Sequence, residues 1–325
     1  MVPWEPVAAL FVDREFFVSA TAQHPQALAL LHNISKVVVG KETAATLVIA
    51  ALIAGGHVLL EDVPGVGKTI LAKALARSLS ADFRRVQFTP DLLPSDVTGA
   101  SIYDQRQSVF TFQPGPVFCH CLLADEVNRA TPRTQSALLE AMEERQVTIE
   151  GVTRPLPHPF FVIATQNPVE TQGTFPLPES QVDRFAVSLS LGYPSVADET
   201  EMLARHVGHA GPQELTPVMT VAELAELQAV AHRVHASVEL RGYLVRLMQA
   251  TRQDDRLVLG ASPRATVSVL QLAQAWALIA GREHVLPDDI QAVFVAGLRH
   301  RVKARGGATP TAVLTDVLGQ VSVHA

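Results

Sequence analysis

Cysteine is almost absent: the 325 residues contain two, Cys119 and Cys121. In a predicted strand, residues two apart point to the same face, where a disulfide between them would be strained. We therefore expect two reduced thiols packed in the core. A metal site is not expected there either, because the intervening His120 would point away from both sulfur atoms.

Charge is also scarce, since Asp, Glu, Lys and Arg make up 18% of the chain. The 26 Lys and Arg residues are outnumbered by 32 Asp and Glu residues, and the net charge is -6. No positive field is present to attract a phosphate backbone, so nucleic acid is not the expected partner. Hydrophobic residues reach 48%, which argues against disorder, and the length predicts a larger domain followed by a smaller one.

A secretory signal and a membrane span are missing as well. The amino-terminal segment has no basic region, and charged residues occupy positions 13–15, where a signal peptide would be apolar. The apolar run at 43–60 is as long as a membrane span, but two glycines and a histidine at 55–57 interrupt it. We expect a buried helix followed by a buried strand, in a cytoplasmic protein with no stable membrane insertion.

Helices and apolar strands alternate from Lys41 onward. This alternation predicts an α/β fold with a parallel sheet that is covered by helices on both faces. After Pro194 the strand signal ends, and helix-start signals at Thr220, Ser262 and Pro287 predict an all-helical second domain. The predicted strands are 57–61, 118–124 and 160–165, and the predicted helices of the first domain end at 54, span 68–80 and begin at 131–132.

The segment DVPGVGKT, residues 62–69, lies between a predicted strand and a predicted helix, as a phosphate-binding loop does. In such a loop the glycines let N–H groups face the phosphates, Lys68 reaches the β- and γ-phosphates, and Thr69 ligates Mg²⁺. Asp62 stands where the common pattern has its first glycine. The predicted ATP-binding residues are Pro64, Gly65, Val66, Gly67, Lys68, Thr69 and Ile70.

Two further predicted strands end in polar residues: CLLADE in Asp125 and Glu126, and FFVIATQN in Asn167. Ligands bind at the carboxyl ends of parallel strands, where Asp125 can hold Mg²⁺ and Glu126 can polarise the water that attacks the γ-phosphate. Asn167 could orient the same water. Taken singly, each strand end is more typical of a polar turn, but beside a phosphate-binding loop they predict one site of ATP hydrolysis.

Two arginines are candidates for stabilising the transferred phosphate: Arg184 in LPESQVDRF and Arg264 in GASPRAT. An arginine supplied from another surface can stabilise the charge that develops on the phosphate oxygens. By residue type alone, each is equally typical of a solvated surface. Their assignment therefore depends on what the surrounding motifs resemble.

Taken in order, the motifs resemble those of the MoxR family of AAA+ ATPases, from about residue 38 to about residue 302. The family commonly has aspartate where Asp62 stands. The resemblance implies an AAA+ P-loop nucleotide domain followed by a small helical lid domain, and it divides the chain into an extension of unassigned role at 1–33, an ATPase core at 34–193 and a lid at 194–325. It is carried by FTPDLLPSDVTG, GPVF, LLADEVNRATPRTQSALLEAMEERQVT, ATQNP, LPESQVDRF, GASPRAT and VLPDDI.

The same resemblance implies roles for individual residues. Asn167 corresponds to sensor 1, Arg264 to sensor 2, and Arg184 to the arginine finger that acts on the ATP of the neighbouring subunit. Arg129, beside the acidic strand end, is the alternative finger. The resemblance also implies a homo-oligomer, a hexameric ring, and a chaperone-like ATPase that works with a von Willebrand factor A domain protein to assemble or activate enzyme complexes, often by metal insertion.

Two hairpins that the resemblance implies, at 101–118 and 147–157, would face the central pore or a partner. They bear on the main alternative, a nucleic-acid motor of related architecture with the same hydrolytic residues. The hairpins contain only Arg106 and Arg154 as basic residues, and with the acidic net charge this disfavours the motor. A nucleotide-gated scaffold with little turnover is a third interpretation.

Overall fold

The computed structural model describes residues 24–168, 173–207 and 212–323. In chain order the strands are β1 (Val58–Glu61), β2 (Phe83–Gln87), β3 (Gly99–Asp104), β4 (Val109–Pro114), β5 (Cys121–Asp125), β6 (Gln146–Ile149), β7 (Val152–Pro155), β8 (Phe161–Gln166), β9 (Val187–Leu189), β10 (Leu257–Leu259) and β11 (Lys303–Ala304). The α-helices are α1 (Pro25–Ser35), α2 (Glu42–Ile53), α3 (Lys68–Ser78), α4 (Pro94–Thr98), α5 (Pro132–Glu144), α6 (Glu179–Val182), α7 (Val196–Val207), α8 (Val221–Ala231), α9 (Val238–Gln253), α10 (Pro263–Ile279), α11 (Pro287–Leu298) and α12 (Pro310–Gln320).

A parallel sheet of five strands, in the order β2-β5-β8-β1-β9, forms the centre of the first domain. Alternate residues of a strand face opposite sides of a sheet. Accordingly, Val58 and Leu60 of β1 join the hydrophobic cluster that includes α2 and α3, whereas Leu59 joins the cluster that includes α5. The predicted parallel sheet with helices on both faces is confirmed, and it brings the carboxyl ends of β1, β5 and β8 to one edge.

The two cysteines are free and buried, as predicted, but they do not share a face. Cys119 packs in the cluster that includes α5, and Cys121 packs in the other. The reason is that β5 begins at Cys121 rather than at 118, and Cys119 lies in a turn in which its N–H bonds the carbonyl of Val117 at 2.9 Å. Burial raises the pKa of the Cys119 thiol to about 12, so it stays protonated.

Helix α1 changes the predicted domain boundary. Leu30 and Ile34 of this helix are fully buried, one turn apart on the same face. The side chain of Asn33 donates to Ser78 Oγ, on α3, at 2.9 Å. A boundary after residue 33 would cut through a helix that packs on the ATPase core, so the core includes α1. The rest of the predicted extension, 1–23, lies outside the described residues.

The second domain is helical, and three of its helices, α8, α10 and α11, start where the sequence predicts. Thr220 Oγ1 and Glu223 form a capping box at α8, and Ser262 Oγ accepts from the N–H of Ala265 at 3.0 Å at the start of α10. One feature is added to the prediction: β10 pairs antiparallel with β11. Strands of two and three residues are too short to give a strand pattern in the sequence. No helix in the described ranges is long and apolar enough to span a membrane.

The two predicted hairpins are present. Strand β3 pairs with β4, and β6 pairs with β7 around the turn at Glu150 and Gly151, whose φ values are 52° and 76°. The hairpins contact each other, since Ser101 Oγ donates to a carboxylate oxygen of Glu150 at 2.6 Å. The guanidinium of Arg154, on β7, also lies over the ring of Phe112, on β4, so the two hairpins form one unit.

Candidate site of nucleotide hydrolysis

The loop between β1 and α3 has the backbone that its glycines allow. Gly65 and Gly67 have φ values of 88° and 98°, in the left-handed region that other residues rarely adopt. Gly67 caps α3, so the first N–H groups of the helix open towards the loop. Lys68 Nζ donates to the carbonyl oxygens of Asp62 at 2.8 Å and Val63 at 3.3 Å. The ammonium group of Lys68 is therefore held against the backbone of the loop that precedes it.

Asp62 anchors this loop, a role that the sequence did not reveal. Its side chain is fully buried and accepts hydrogen bonds from Ser190 Oγ at 2.6 Å and from the N–H groups of Leu191 at 2.5 Å and Gly192 at 3.2 Å. A glycine could accept none of these bonds. The departure from the common loop pattern thus ties the loop to the segment that follows β9.

The other residues predicted to bind ATP frame the same loop. Thr69 lies in the first turn of α3 and is half-buried. Pro64 and Ile70 are exposed, whereas Val66 packs against the hydrophobic core. Exposed residues therefore lie on both sides of the loop.

Asp125 is the last residue of β5, and both of its carboxylate oxygens accept hydrogen bonds. Its Oδ1 accepts from Thr165 Oγ1 at 2.6 Å, and its Oδ2 accepts from Arg85 Nη2 at 2.7 Å. Arg85 lies on β2 and Thr165 on β8, so strands on both sides hold this carboxylate. Neither partner was recognised in the sequence, because the strand order that makes them neighbours is a property of the assembled sheet.

Glu126 follows with an unusual backbone conformation. Its φ of 57° lies in the left-handed region, at a cost of roughly 1 kcal/mol for a residue with a side chain. The N–H of Glu126 donates to Thr165 Oγ1 at 2.9 Å. One carboxylate oxygen accepts from Gln87 Nε2 at 2.7 Å and forms an ion pair with Arg129 Nε at 3.0 Å. The strained turn and these partners fix the direction of the carboxylate.

Lys68 and the acidic strand end belong to one site. Burial lowers the pKa of the Lys68 ammonium, while the negative charges of Asp62, Asp125 and Glu126 act in the opposite direction. The strand order β5-β8-β1 independently places the carboxyl end of β5 and the loop after β1 at the same edge of the sheet. The loop and the acidic strand end, which the sequence predicts to form one site, therefore meet at the same edge of the sheet.

Asn167 lies at the same edge of the sheet, after the strand that separates β5 from β1. It directly follows β8 and is half-buried, and β8 lies between β5 and β1 in the sheet. Its position is therefore between Asp125 and the phosphate-binding loop. A nucleotide that contacted both would pass beside the amide of Asn167.

The side chains at this edge fit Mg²⁺. Within residues 24–168, 173–207 and 212–323, no three His, Cys, Asp or Glu side chains cluster as a metal site. Mg²⁺ does not need such a cluster, because it keeps several waters and binds through one or two carboxylates together with substrate phosphates. Thr69 offers a hydroxyl and Asp125 a carboxylate near Lys68. This donor set suits an ion that arrives with the nucleotide.

Arg184 and Arg264 do not lie at this edge. Both contact Glu143 beside a cavity of about 420 Å³ that is also lined by residues 55–57. These residues precede β1, whereas the phosphate-binding loop follows it. At about 3.3 Å per residue, the four residues of β1 separate the two places by roughly 13 Å. The structure thus separates the two predicted arginines from the phosphate-binding loop of their own subunit.

Comparison with known proteins agrees with this architecture. Residues 57–187 match the model of the ATPase family associated with various cellular activities (AAA), and residues 249–317 match that of the AAA lid domain. The chain is 40% identical to the chaperone MoxR1 of Mycobacterium tuberculosis, over 90% of this chain and 81% of the relative. The chain belongs to the MoxR family of AAA+ ATPases.

Two further relatives extend the match of this MoxR-family protein. The YeaC protein of Bacillus subtilis, whose function is uncharacterised, is 47% identical over 92% of this chain and 95% of its own. The crystal structure of a Cytophaga hutchinsonii protein, provisionally assigned as an ATPase, superposes with a TM-score of 0.85 at 38% identity and covers 91% of this chain and 94% of its own. The nucleotide domain and helical lid are therefore an AAA+ fold.

Proposed function

We propose that this MoxR-family protein hydrolyses Mg-ATP at the carboxyl edge of its sheet. The observation that carries the proposal is the parallel strand order β5-β8-β1, which brings Asp125 and Glu126, at the end of β5, to the same edge of the sheet as the loop that follows β1. A phosphate-binding loop beside two carboxylates can bind a triphosphate, hold its Mg²⁺ and activate water. Two strands that merely ended in polar turns would not need a partly buried lysine between them.

Binding uses the loop and the first turn of α3. Their N–H groups receive the β- and γ-phosphates, and Lys68 exchanges its carbonyl partners for phosphate oxygens. Thr69 and Asp125 would hold Mg²⁺, which would supply positive charge to the phosphates. Arg85 already pairs with Asp125 in the free protein, so this arginine must share the carboxylate with the hydrated ion.

Hydrolysis uses the other side of the edge. Glu126 accepts a hydrogen bond from the attacking water and thereby polarises it. The Asn167 amide orients that water or the γ-phosphate. Gln87 and Arg129 hold the Glu126 carboxylate in the free subunit. Their bonds keep the carboxylate from rotating before water and nucleotide are both in place.

Arg184 and Arg264 complete the site of an adjacent copy in a homo-oligomer, which we propose is a hexameric ring. Their location supports this, because they lie roughly 13 Å from their own loop, at the far end of the four-residue β1. Phosphoryl transfer is accelerated strongly by an arginine delivered across an interface. Arg129 ion-pairs with Glu126 of its own subunit, a position that favours Arg184 as the finger.

The cellular role we propose is chaperone-like. Hydrolysis in the ring would remodel, assemble or activate a partner protein complex, together with a von Willebrand factor A domain protein, and metal insertion is one form that activation takes. The naming of one relative as a chaperone supports this role. The hairpin formed by β3 and β4 carries exposed apolar side chains, among them Phe110 at 71% exposure, and suits contact with a protein more than with nucleic acid.

Steady-state phosphate release, measured with and without DNA, tests the proposed function. Turnover that requires Mg²⁺ and ignores DNA is expected. Turnover that appears only with DNA would favour a motor on nucleic acid. Tight ATP binding with almost no phosphate release would favour a nucleotide-gated scaffold.

A further inference from the structure

Glu143, in the last turn of α5, joins the two arginines that lie outside the nucleotide site. Its Oε2 is 2.8 Å from Nε of Arg184, and its Oε1 is 2.7 Å from Nη2 of Arg264. Each oxygen of one carboxylate therefore pairs with a different guanidinium. Guanidinium groups pair with phosphate oxygens in the same way as with carboxylate oxygens. The arrangement thus outlines a place for two oxygens of one anion.

The two arginines come from different domains, and Asp183 connects them. Asp183 precedes Arg184 in the chain, and its carboxylate accepts from Ser262 Oγ at 3.3 Å. Ser262 is the cap of α10, on which Arg264 is the second residue. Movement of the lid relative to the core would therefore separate the two guanidinium groups, and this hydrogen bond keeps their backbones together.

Arg301 adds a third, more deeply buried guanidinium to the same cavity. Its side chain is 3% exposed, and it pairs with Asp183 at 3.1 Å through Nε. Its Nη2 donates to the carbonyl oxygens of Asp183 and Phe185, whereas its Nη1 has no hydrogen-bond partner in the described part of the chain. Burial lowers the pKa of Arg301 to about 10, and the positive charge of Arg264 acts in the same direction. A buried donor without a partner beside two arginines marks a place for an anion.

We propose that Glu143 is an internal competitor in this cavity: its carboxylate takes the place that the proposed function gives to the terminal phosphate of a nucleotide held by an adjacent copy of the chain. The inference rests on the proposed function, since it assigns an internal competitor to the two arginines placed there. A γ-phosphate carries more negative charge and more acceptor oxygens than a carboxylate, so it displaces Glu143 when the interface forms. The single negative charge of Glu143 offsets part of the positive charge of the two arginines.

The ion pairs with Glu143 should therefore raise the protein concentration that ATP-loaded copies need in order to associate. Each arginine must give up an ion pair with Glu143 before it can bind phosphate. The side chain of Arg184 is 26% exposed, that of Arg264 is 55% exposed and that of Glu143 is 31% exposed. Two partly exposed pairs of this kind are worth a factor of about three to ten in an association constant. Glu143→Gln keeps the shape and removes the charge, so ATP-loaded copies should associate at about three to ten times lower concentration.

The test is sedimentation of the full chain with saturating ATPγS across a range of protein concentrations, with phosphate release from ATP measured over the same range. Glu143→Gln should lower the midpoint of both curves. Glu140→Gln is the matched control, because Glu140 is an exposed glutamate one turn earlier on the same helix, and it should change neither curve. Glu143→Ala removes the charge without introducing an amide, and it should lower both midpoints as Glu143→Gln does. Thermal unfolding verifies that this variant is folded.

The outcomes separate this inference from the proposed function. If Glu143→Gln and Glu143→Ala leave both midpoints where the natural chain has them while Arg184→Ala abolishes turnover, Glu143 is no competitor and the arginine assignment stands. If Arg184→Ala and Arg264→Ala both turn over normally, the arginine assignment itself fails. A raised midpoint in both Glu143 variants would mean that the carboxylate supports the interface, which overturns the inference.

Discussion

Thr165 donates its hydroxyl to Asp125 Oδ1 at 2.6 Å and accepts the N–H of Glu126 at 2.9 Å. One fully buried oxygen on β8 therefore sets the position of both acidic residues at the end of β5. It does so while the backbone of Glu126 is in the left-handed region. The side chains proposed to hold Mg²⁺ and to activate water are thus aligned by a residue that is proposed to touch neither.

Thr165→Val should damage hydrolysis more than nucleotide binding. The change keeps the shape but leaves the N–H of Glu126 without its partner, and we expect a loss of about 1–3 kcal/mol in the free energy of unfolding. The kcat for phosphate release should fall by about ten- to a hundredfold, with a small change in ATP affinity. Thr165→Ser keeps the hydroxyl and should stay close to the natural chain. Equal activity in both variants would refute the role.

Lys68→Ala and Glu126→Gln should fail in different ways. Loss of the ammonium removes charged hydrogen bonds to the phosphates, so ATP affinity should fall by about a hundredfold or more. Loss of the Glu126 charge should leave affinity intact and lower turnover by about 10²- to 10⁴-fold. Nucleotide affinity and phosphate release are measured on both variants. The same loss of binding in both would contradict the assigned roles.

Mixing two inactive variants should restore part of the activity. Arg184→Ala should bind ATP but hydrolyse it about 10³- to 10⁵-fold more slowly, whereas Lys68→Ala still offers an intact Arg184 to its neighbour. Mixed rings then contain interfaces at which an intact loop meets an intact arginine. Phosphate release is followed against mixing ratio, with fluorescently labelled subunits to verify exchange.

Arg129 supplies the counter-test for that experiment. It ion-pairs with Glu126 of its own subunit at 3.0 Å, so Arg129→Ala mixed with Lys68→Ala should not recover activity. Recovery there, together with dead mixtures of Arg184→Ala and Lys68→Ala in rings that demonstrably form, would make Arg129 the finger.

DNA should neither bind tightly at physiological salt nor stimulate hydrolysis. The net charge is -6, and Arg154, one of the few basic residues in the hairpins, stacks on the ring of Phe112 at 4.0 Å. Its guanidinium is therefore engaged within the hairpins. Anisotropy with labelled single and double strands measures the affinity, and salt-sensitive binding tighter than about 1 μM would favour a nucleic-acid motor.

Acid should destabilise the fold through His57. Burial lowers the pKa of His57 to about 3, the charge of Arg145 acts in the same direction, and the Met142 carbonyl opposes them. The pKa of His57 is lower in the folded than in the unfolded chain, so its contribution to the free energy of unfolding is complete above about pH 6.5. As the pH falls towards 3, this contribution is lost by about 1.4 kcal/mol per pH unit. Urea unfolding at about pH 7 and about pH 5 measures the slope. His57→Asn should reduce it, and an unchanged slope would exclude His57 as the cause.

The sequence by itself determined the elements whose cause is local. Gly65 and Gly67 predict a tight loop because only glycine adopts their φ values readily, and the apolar run before Asp125 predicts a buried strand. Helix starts at Thr220 and Ser262 follow from side chains that bond a backbone N–H three residues away. The general rule that ligands bind at the carboxyl ends of parallel strands then predicted which of these residues would meet.

Only the tertiary structure decided the contacts between distant segments. Asp62 and Ser190 are 128 residues apart, and nothing near either one predicts their hydrogen bond. Thr165 became the partner of Asp125 because β8 lies next to β5 in the sheet. Arg184 and Arg264 meet at Glu143 because the lid packs on the core at the far end of β1. Each of these contacts depends on strand order and domain packing, which arise from burial of the whole chain rather than from any single motif.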